Sequence, residues 1–380
     1  MIAVVASTFP RYAGDSEPGF ILDFARELSR FSKVKVVVPN HPLSDDSTDW
    51  AGVPIERFRY FPLRSQETLS GDGGIPANLA TWKGRLLLPF LILAELAVFI
   101  RLFRDPEVRV IHVHWILPQG LAFALARTWL PRNSQAPRTV LSLHSGRDQR
   151  VSRFYLWLER HIVRSFDRVT VNNEKTRRVL EALYGRPIGY LSMGLPKDAE
   201  AIALPAEKNY RFIASIGRLV PVKGYLELLR EWAKRRQALT GYSLVLLGKG
   251  QQAKEIQDFI ESRGLADHVR LHSNPSRELI FQTLSEAGYY LQPSLVTPSG
   301  QTEGFGLSVV EALHLGCTAV VSGVGGLPEV VGDVGYVCSH AGEMLDRLLD
   351  GSIRPSDPRQ SRDRARRFSW GSKNLQELYA

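Results

Sequence analysis

The chain has 380 residues, 44% hydrophobic and 23% charged, with a formal net charge of +9. That length exceeds what one hydrophobic core usually serves, so two domains are expected, and the composition is ordinary for a globular protein. Two cysteines, Cys317 and Cys338, exclude a disulfide framework and suit a reducing cytoplasm, while the positive charge favours anionic partners such as nucleotide diphosphates or phospholipid surfaces.

The opening MIAVVASTFPRYAG has no basic lead and no long apolar run. It reads as a first buried strand, and no export signal is expected. IAVVA, KVKVVVP, VRVIHVH, TVLSLH and RVTVN follow as buried strands, alternating with helical patterns such as FILDFARELSRF and RFYLWLERHIVRSF. The run KGRLLLPFLILAELAVFIRLF (Lys83 to Phe103) stands apart. Its uncharged part before Glu95 is too short to span a bilayer, and Pro89 interrupts it. Two readings stay open: a buried helix, or a helix in the membrane interface with Lys83, Arg85, Arg101 and Arg104 toward lipid phosphates.

After about residue 195 the pattern weakens across PKDAEAIALPAEKN, a linker-like stretch. It restarts with RFIASIG, YSLVLLG, HVRLHS, YYLQPS and CTAVVSG. Such alternation predicts an α/β protein with two doubly wound, Rossmann-like domains facing a central cleft. The expected boundaries are 1–195, 196–365 and a terminal segment 366–380. The basic stretch RPSDPRQSRDRARRF reads as one solvated helix face, and SWGSKNLQELYA as an amphipathic helix. No zinc-finger spacing and no aromatic-rich RNA-binding signature occurs, so nucleic acid is not an expected partner.

The strongest chemical signal is TEGFGLSVVEALHLGC, residues 302 to 317. Glu303 precedes a helix and Glu311 lies inside it, and Gly304 and Gly306 let backbone approach a ligand closely. Open N–H groups at such a helix start suit a diphosphate. A helix cap plus a solvated glutamate would be the plain alternative. ASIGRLVPVKGYLELL adds Arg218 and Lys223 between a strand and a helix. Ligands of open α/β sheets bind at that edge, and the two cations suit a pyrophosphate. His112 and His114 alternate along one strand and point the same way. Zinc would need further ligands, and no good set is apparent. Glu329 in GLPEVV reads equally as facing the cleft or as starting a helix.

Together these motifs resemble family-4 retaining glycosyltransferases of the GT-B fold (glycosyl transferases group 1). The resemblance rests on Glu303 and Glu311 with seven residues between them, and on Gly217-Arg218 with Lys223-Gly224. VIHVHWILPQGLA, HSGRD and GVGGLPEVVGDVGYV also look like family landmarks. It implies that Arg218 and Lys223 bind the donor diphosphate, that Glu303 contacts the donor sugar, and that Glu311 holds ribose hydroxyls. Backbone at Phe305, Gly306 and Leu307 would hold sugar or phosphate oxygens. His144 matches the family histidine near the reacting sugar. Gly248-Lys249-Gly250 and the loop Ser273 to Arg277, with Pro275, lie where the base sits. The family's paired glycines after the first strand are replaced by TFPRYAGDSEPGF, with separated Gly14 and Gly19, and Ser145 stands where glycine is common. MGLPKD looks like a reduced hinge motif, and the tail would cross back to the N-terminal domain.

The resemblance further implies retention of anomeric configuration, a UDP- or GDP-linked hexose-type donor as substrate, and a glycan or lipid-linked acceptor. No cofactor is implied. No Asp-x-Asp pair occurs, so a resident metal is neither required nor suggested. Polysaccharide, lipopolysaccharide or glycolipid assembly is the expected setting, in the cytoplasm or at the inner membrane face. Three rivals share parts of the pattern. A dehydrogenase would need a Gly-x-Gly-x-x-Gly turn after a strand, matched only in part by GVGGLP. A GT-B epimerase or a non-catalytic relative would share the donor site, but the full set of Arg218, Lys223, Glu303 and Glu311 fits a transferase better.

Overall fold

The computed structural model describes residues 1–12, 15, 19–50, 52–71, 74–130, 136–144, 146–147, 152–195, 197–298, 300–370 and 372–379. Gly14, Ser145 and Asp148 lie outside the described residues. The first nine strands are β1 (Ile2–Val5), β2 (Val34–Pro39), β3 (Asp49–Trp50), β4 (Val53–Phe58), β5 (Val110–His114), β6 (Arg138–Leu143), β7 (Gly146–Arg147), β8 (Arg168–Val171) and β9 (Gly189–Tyr190). The others are β10 (Asn209–Ile216), β11 (Ser243–Gly248), β12 (Val269–Ser273), β13 (Ala287–Gln292), β14 (Gln301–Thr302), β15 (Thr318–Ser322) and β16 (Tyr336–Cys338).

An eight-stranded sheet runs β3-β4-β2-β1-β5-β6-β8-β9, parallel except for the β3/β4 hairpin. A six-stranded parallel sheet runs β12-β11-β10-β13-β15-β16. Each is buried on both faces by alternation along its strands. In β1, Ala3 and Val5 enter the core beneath helices Trp82–Arg104, Leu121–Arg127, Arg153–Arg164 and Glu174–Tyr184, whereas Ile2 and Val4 enter the opposite core beneath Phe20–Ser29. Period-2 exposure of side chains to two helical layers is why these strands read as continuous apolar runs.

Two segments depart from the sequence reading. The linker-like stretch forms a short helix, Lys197–Glu200, whose Ala199 is buried with Leu195 in the C-terminal core. The basic stretch, carried by helix Pro358–Arg366, is only partly solvated. Arg364 donates to the carbonyls of Val330 and Glu329 and lies over the Phe368 ring, and Arg362 reaches the Ile202 carbonyl. The final helix, Ser372–Tyr379, lies against the N-terminal domain, burying Leu375 in its core.

The Trp82–Arg104 helix satisfies neither of its two readings alone. Thr81 caps it by accepting from the Gly84 N–H, and Leu87, Leu91, Glu95, Val98, Phe99 and Leu102 form a buried face. Yet only 33% of its most apolar stretch is buried. Trp82, Leu86, Phe90 and Leu93 stand 41–70% exposed.

Glu95 sits on the buried face, 1% exposed, accepting one hydrogen bond at 2.7 Å from Gln119. Burial raises its carboxyl to about 8, against the partial offset of that bond. Folded, the group is neutral up to that pH; unfolded, it ionises near 4.5. Between these values the folded state holds the extra proton, so stability falls as pH rises. Glu95→Gln removes that dependence. Its melting temperature is expected to be flatter than wild type between pH 5 and 8, and higher at pH 8, by calorimetry.

Candidate active site

The site forms where the carboxyl ends of β10, β11 and β13 meet. Backbone packs on backbone there: a Cβ on Gly248 would collide with the Gly217 carbonyl. This close approach explains glycine at the end of β11 and stacks the Gly217–Lys223 loop on the Gly248–Gly250 turn. Lys223 ends a 3-10 turn, Pro221–Lys223, and is 8% exposed. Arg218 is exposed and makes no salt bridge among the described residues.

Lys223 points its ammonium at Glu303, with Nζ 2.7 Å from Oε2. Ser294 donates to the same oxygen at 3.1 Å. Behind it, Gln292 Nε2 donates to Ser294 Oγ at 2.9 Å, and Tyr290 Oη donates to Gln292 Oε1 at 2.6 Å. A buried polar chain along the end of β13 thus fixes the carboxylate. Burial alone would push Glu303 up, but Lys223 and Ser294, with Arg218 further off, hold it below the usual carboxylate value. A second close approach backs the loop: Gly325, at φ +54°, leaves no room for a Cβ against the Glu303 carbonyl.

The following helix, Leu307–His314, starts at Gly306 with no side-chain cap. Its first N–H groups therefore have no capping side chain as acceptor. Phe305 is buried in the core beneath. Glu311 is 4% exposed, and its Oε1 accepts from Arg277 Nη1 at 2.9 Å. Arg277 also lies 4.5 Å over the Phe281 ring. The expected base loop and the expected ribose residue are therefore joined, with Pro275 just before them. Asn274 ties that loop to the site by donating to the Gly248 carbonyl at 2.9 Å.

The N-terminal domain meets this edge directly. β7 pairs antiparallel with β14, setting Gly146 opposite Thr302, one residue before Glu303. Asn173 donates to the Gly304 carbonyl at 2.7 Å, and Glu329 accepts from the Glu174 N–H at 2.6 Å. Glu329 thus both faces the other domain and meets a helix start, that of Glu174–Tyr184.

His144, just before β7, ends a column of three stacked imidazoles. His112 and His114 lie 4.5 Å apart at 16°, and His114 and His144 5.0 Å apart at 6°. His114 Nδ1 and His144 Nε2 share a hydrogen bond of 2.7 Å. Burial lowers His144 to about 4, burial and then His144 lower His112 to about 3, and His114 is lowered well below its ordinary value by burial and both neighbours. All three are neutral at physiological pH. Trp115, tilted 5.2 Å from His144, holds a left-handed φ of 70°. Such strain in a non-glycine residue is typically retained where a site needs it. At the column's far end His112 Nδ1 meets Tyr379 Oη of the final helix at 2.6 Å. Among the described residues no His, Cys, Asp or Glu cluster is arranged to hold a metal ion.

Sequence reasoning missed Asn173, Trp115, Tyr379 and the Tyr290–Gln292–Ser294 chain, and named Arg277 only as the end of the expected base loop. Only the last had a signal: polar residues closing an otherwise apolar buried strand, QPS after YYL.

Comparisons place this geometry among known proteins. Residues 196–350 match the family "Glycosyl transferases group 1", and residues 20–190 match "Glycosyl transferase 4-like domain". A Bacillus subtilis protein described as an uncharacterized glycosyltransferase, YqgM, is 28% identical over 204 residues, covering 52% of this chain and 55% of that one. The chain thus spans about half the length of that relative. Sucrose-phosphate synthase from Thermosynechococcus elongatus superposes with a TM-score of 0.74 at 19% identity, covering 100% of this chain and 98% of that one. Anabaena HepE, in complex with UDP and glucose, superposes at 0.68 and 16% identity, covering 99% and 97%.

Breaking a buried ion pair by removing one partner is costly, because the other charge stays buried. Glu303→Gln is expected to cost about 3 kcal/mol in denaturant unfolding. The double variant Lys223→Met/Glu303→Gln is expected to recover most of it. Additive losses would mean that the two residues do not depend on each other.

Proposed function

The chain belongs to the group 1 glycosyltransferases of the GT-B fold, and we propose that it is a retaining, metal-independent enzyme moving a hexose-type sugar from a UDP- or GDP-sugar to a glycan or lipid-linked acceptor. The observation that carries this reading is the Lys223–Glu303 pair beside the exposed Arg218 and the uncapped start of Leu307–His314. One point on the sheet edge therefore offers two cations and open N–H groups to a diphosphate, and a fixed carboxylate to a sugar hydroxyl.

In the reaction the bond from the anomeric carbon to the donor phosphate oxygen breaks, and the nucleoside diphosphate leaves with the electron pair. Arg218, Lys223 and the helix dipole meet that developing charge in a site shaped before substrate arrives. The acceptor oxygen bonds to the same carbon on the face the leaving group vacates, and its proton passes to a donor phosphate oxygen. Glu311 and Arg277 take the ribose and base, releasing part of their mutual pairing. Neutral His144 offers a ring nitrogen to the sugar from the facing domain. HepE, the structural neighbour solved with UDP and glucose, supports a nucleotide-sugar donor by analogy. The acceptor enters from the N-terminal half, and the exposed face of Trp82–Arg104, with basic residues at both ends, fits peripheral contact with an anionic membrane. That setting is the cytoplasmic face of a membrane where polysaccharide, lipopolysaccharide or glycolipid is assembled.

Arg218→Ala and Lys223→Ala are each expected to lower turnover by roughly 10²–10³-fold in EDTA, the usual loss for one transition-state donor. Product NMR is expected to show the donor's anomeric configuration retained. Arg218 is exposed, so its variant separates catalysis from folding. Unchanged turnover in both variants, or an inverted product, contradicts the reading.

A further inference from the structure

Two hollows of opposite polarity adjoin on the N-terminal domain, and Arg59 borders both. The first, about 220 Å³, lies beyond the carboxyl ends of β2 and β4. Arg57 near the end of β4 and Arg59 just past it both line the hollow. Arg64 reaches in from the turn Arg64–Gln66, and Asn40, Ser47 and Thr48 add polar groups.

The charges here are unequally matched. Arg59 pairs with Glu67 at 2.7 Å, and Arg64 with Asp46 at 2.9 Å, although the Asp46 side chain is 87% exposed. Asp45 also borders the cavity. Arg57 instead donates to the main-chain carbonyls of Pro10 and Arg11, while Asp45 and Asp15 act on it without forming a salt bridge among the described residues. The Nε atoms of Arg57 and Arg64 are both buried without a hydrogen-bond partner. Buried donors are normally satisfied, so each of these two arginines is left short of one acceptor. Their fork geometry suits a phosphate.

The second hollow, about 420 Å³, is an apolar groove. Tyr60, Phe61 and Pro62 form one wall, and Phe90, Leu93 and Ala94 of the Trp82–Arg104 helix the other. The Phe61 and Phe90 rings meet edge-on at 5.1 Å. One and two turns before Phe90 on the same helix, Leu86 and Trp82 are exposed. An apolar face alone would fit a membrane surface, and a basic cavity alone would fit any small anion. Their junction at Arg59 fits an amphiphile with a phosphate at one end and hydrocarbon at the other.

We propose that this pair of hollows is the binding site for a phosphorylated lipid that carries the acceptor, with phosphate among Arg57, Arg59 and Arg64 and the chain between Phe61 and Leu93. The inference rests on the lipid-linked acceptor reading above and names the chemistry that recognises it. The chain would enter sideways from a bilayer lying on Trp82 and Leu86, and its phosphate would displace the exposed Asp46 from Arg64.

The test is titration of the full chain with farnesyl phosphate, with farnesol and inorganic phosphate as separate probes. Saturable binding of farnesyl phosphate is expected, with both partial probes about tenfold weaker or worse. Arg64→Ala and Leu93→Glu alter exposed parts of the two hollows, and each is expected to weaken farnesyl phosphate about tenfold. Equal binding of farnesol, equal binding of inorganic phosphate, or unaffected variants overturns the site. So does binding confined to phosphatidylglycerol vesicles, which would leave only a membrane-resting surface. Nucleoside diphosphate binding, titrated on the same samples, is expected to survive both variants. Its absence from the wild type would defeat the donor reading instead, independently of the lipid result.

Discussion

A lysine and a glutamate 2.7 Å apart, their side chains 10% and 14% exposed, sit where three strand ends converge. Taking both charges out of water costs several kcal/mol per ion, recovered only where geometry is good and remaining lone pairs are satisfied. Much of the C-terminal domain's polar interior does that. Ser294, Gln292 and Tyr290 relay hydrogen bonds inward from Glu303, and Ser322 anchors the Ser294 carbonyl at 2.5 Å. Gly217 and Gly248 bring two loops into backbone contact so that Lys223 can reach, and Gly325 does the same behind Glu303. On the proposed reading, a diphosphate arriving at Lys223 would meet a charge already desolvated and held in place by Glu303, which is how preorganisation lowers a barrier.

The opposing domain is tied to the same loop. The β7–β14 pairing and the Asn173–Gly304 bond tie the segment just after His144 to the loop that carries Glu303, across the junction of the two sheets. From His144 the imidazole column runs inward to Tyr379, on the helix that crosses back from the C-terminal domain. Trp370 pins that crossing by donating to the Ser192 carbonyl at 2.8 Å, and Gly194 has no space for a side chain against its ring. Movement between the domains would disturb both the ladder near Glu303 and the tail beneath His112.

Much of this was legible in the sequence for identifiable reasons. Buried parallel strands produce apolar runs such as KVKVVVP, and the Glu303/Glu311 and Arg218/Lys223 spacings survive as local motifs because each pair spans one strand-to-helix junction. The short edge strand β9 and the relay partners were not legible, because their signals are tertiary. Asn173 and Gly304 are 131 residues apart, and Tyr379 and His112 267 apart. Periodicity also failed at Trp82–Arg104, where one helix has both a core face and an exposed apolar face. Hydropathy cannot separate two apolar sides, whereas packing of Phe99 against Phe123 on one side and solvent on the other can.

The central claim is a donor site on the C-terminal sheet that binds a nucleotide sugar through its own cations. The most direct measurement is thermal unfolding of the intact chain with UDP-, GDP-, ADP- and TDP-sugars, each with and without EDTA. A ligand that binds only the folded state raises the melting temperature by mass action. The account predicts a rise of a few degrees with one base and no change on chelation. No rise with any of the four, or a rise that appears only when a divalent ion is supplied, would contradict it.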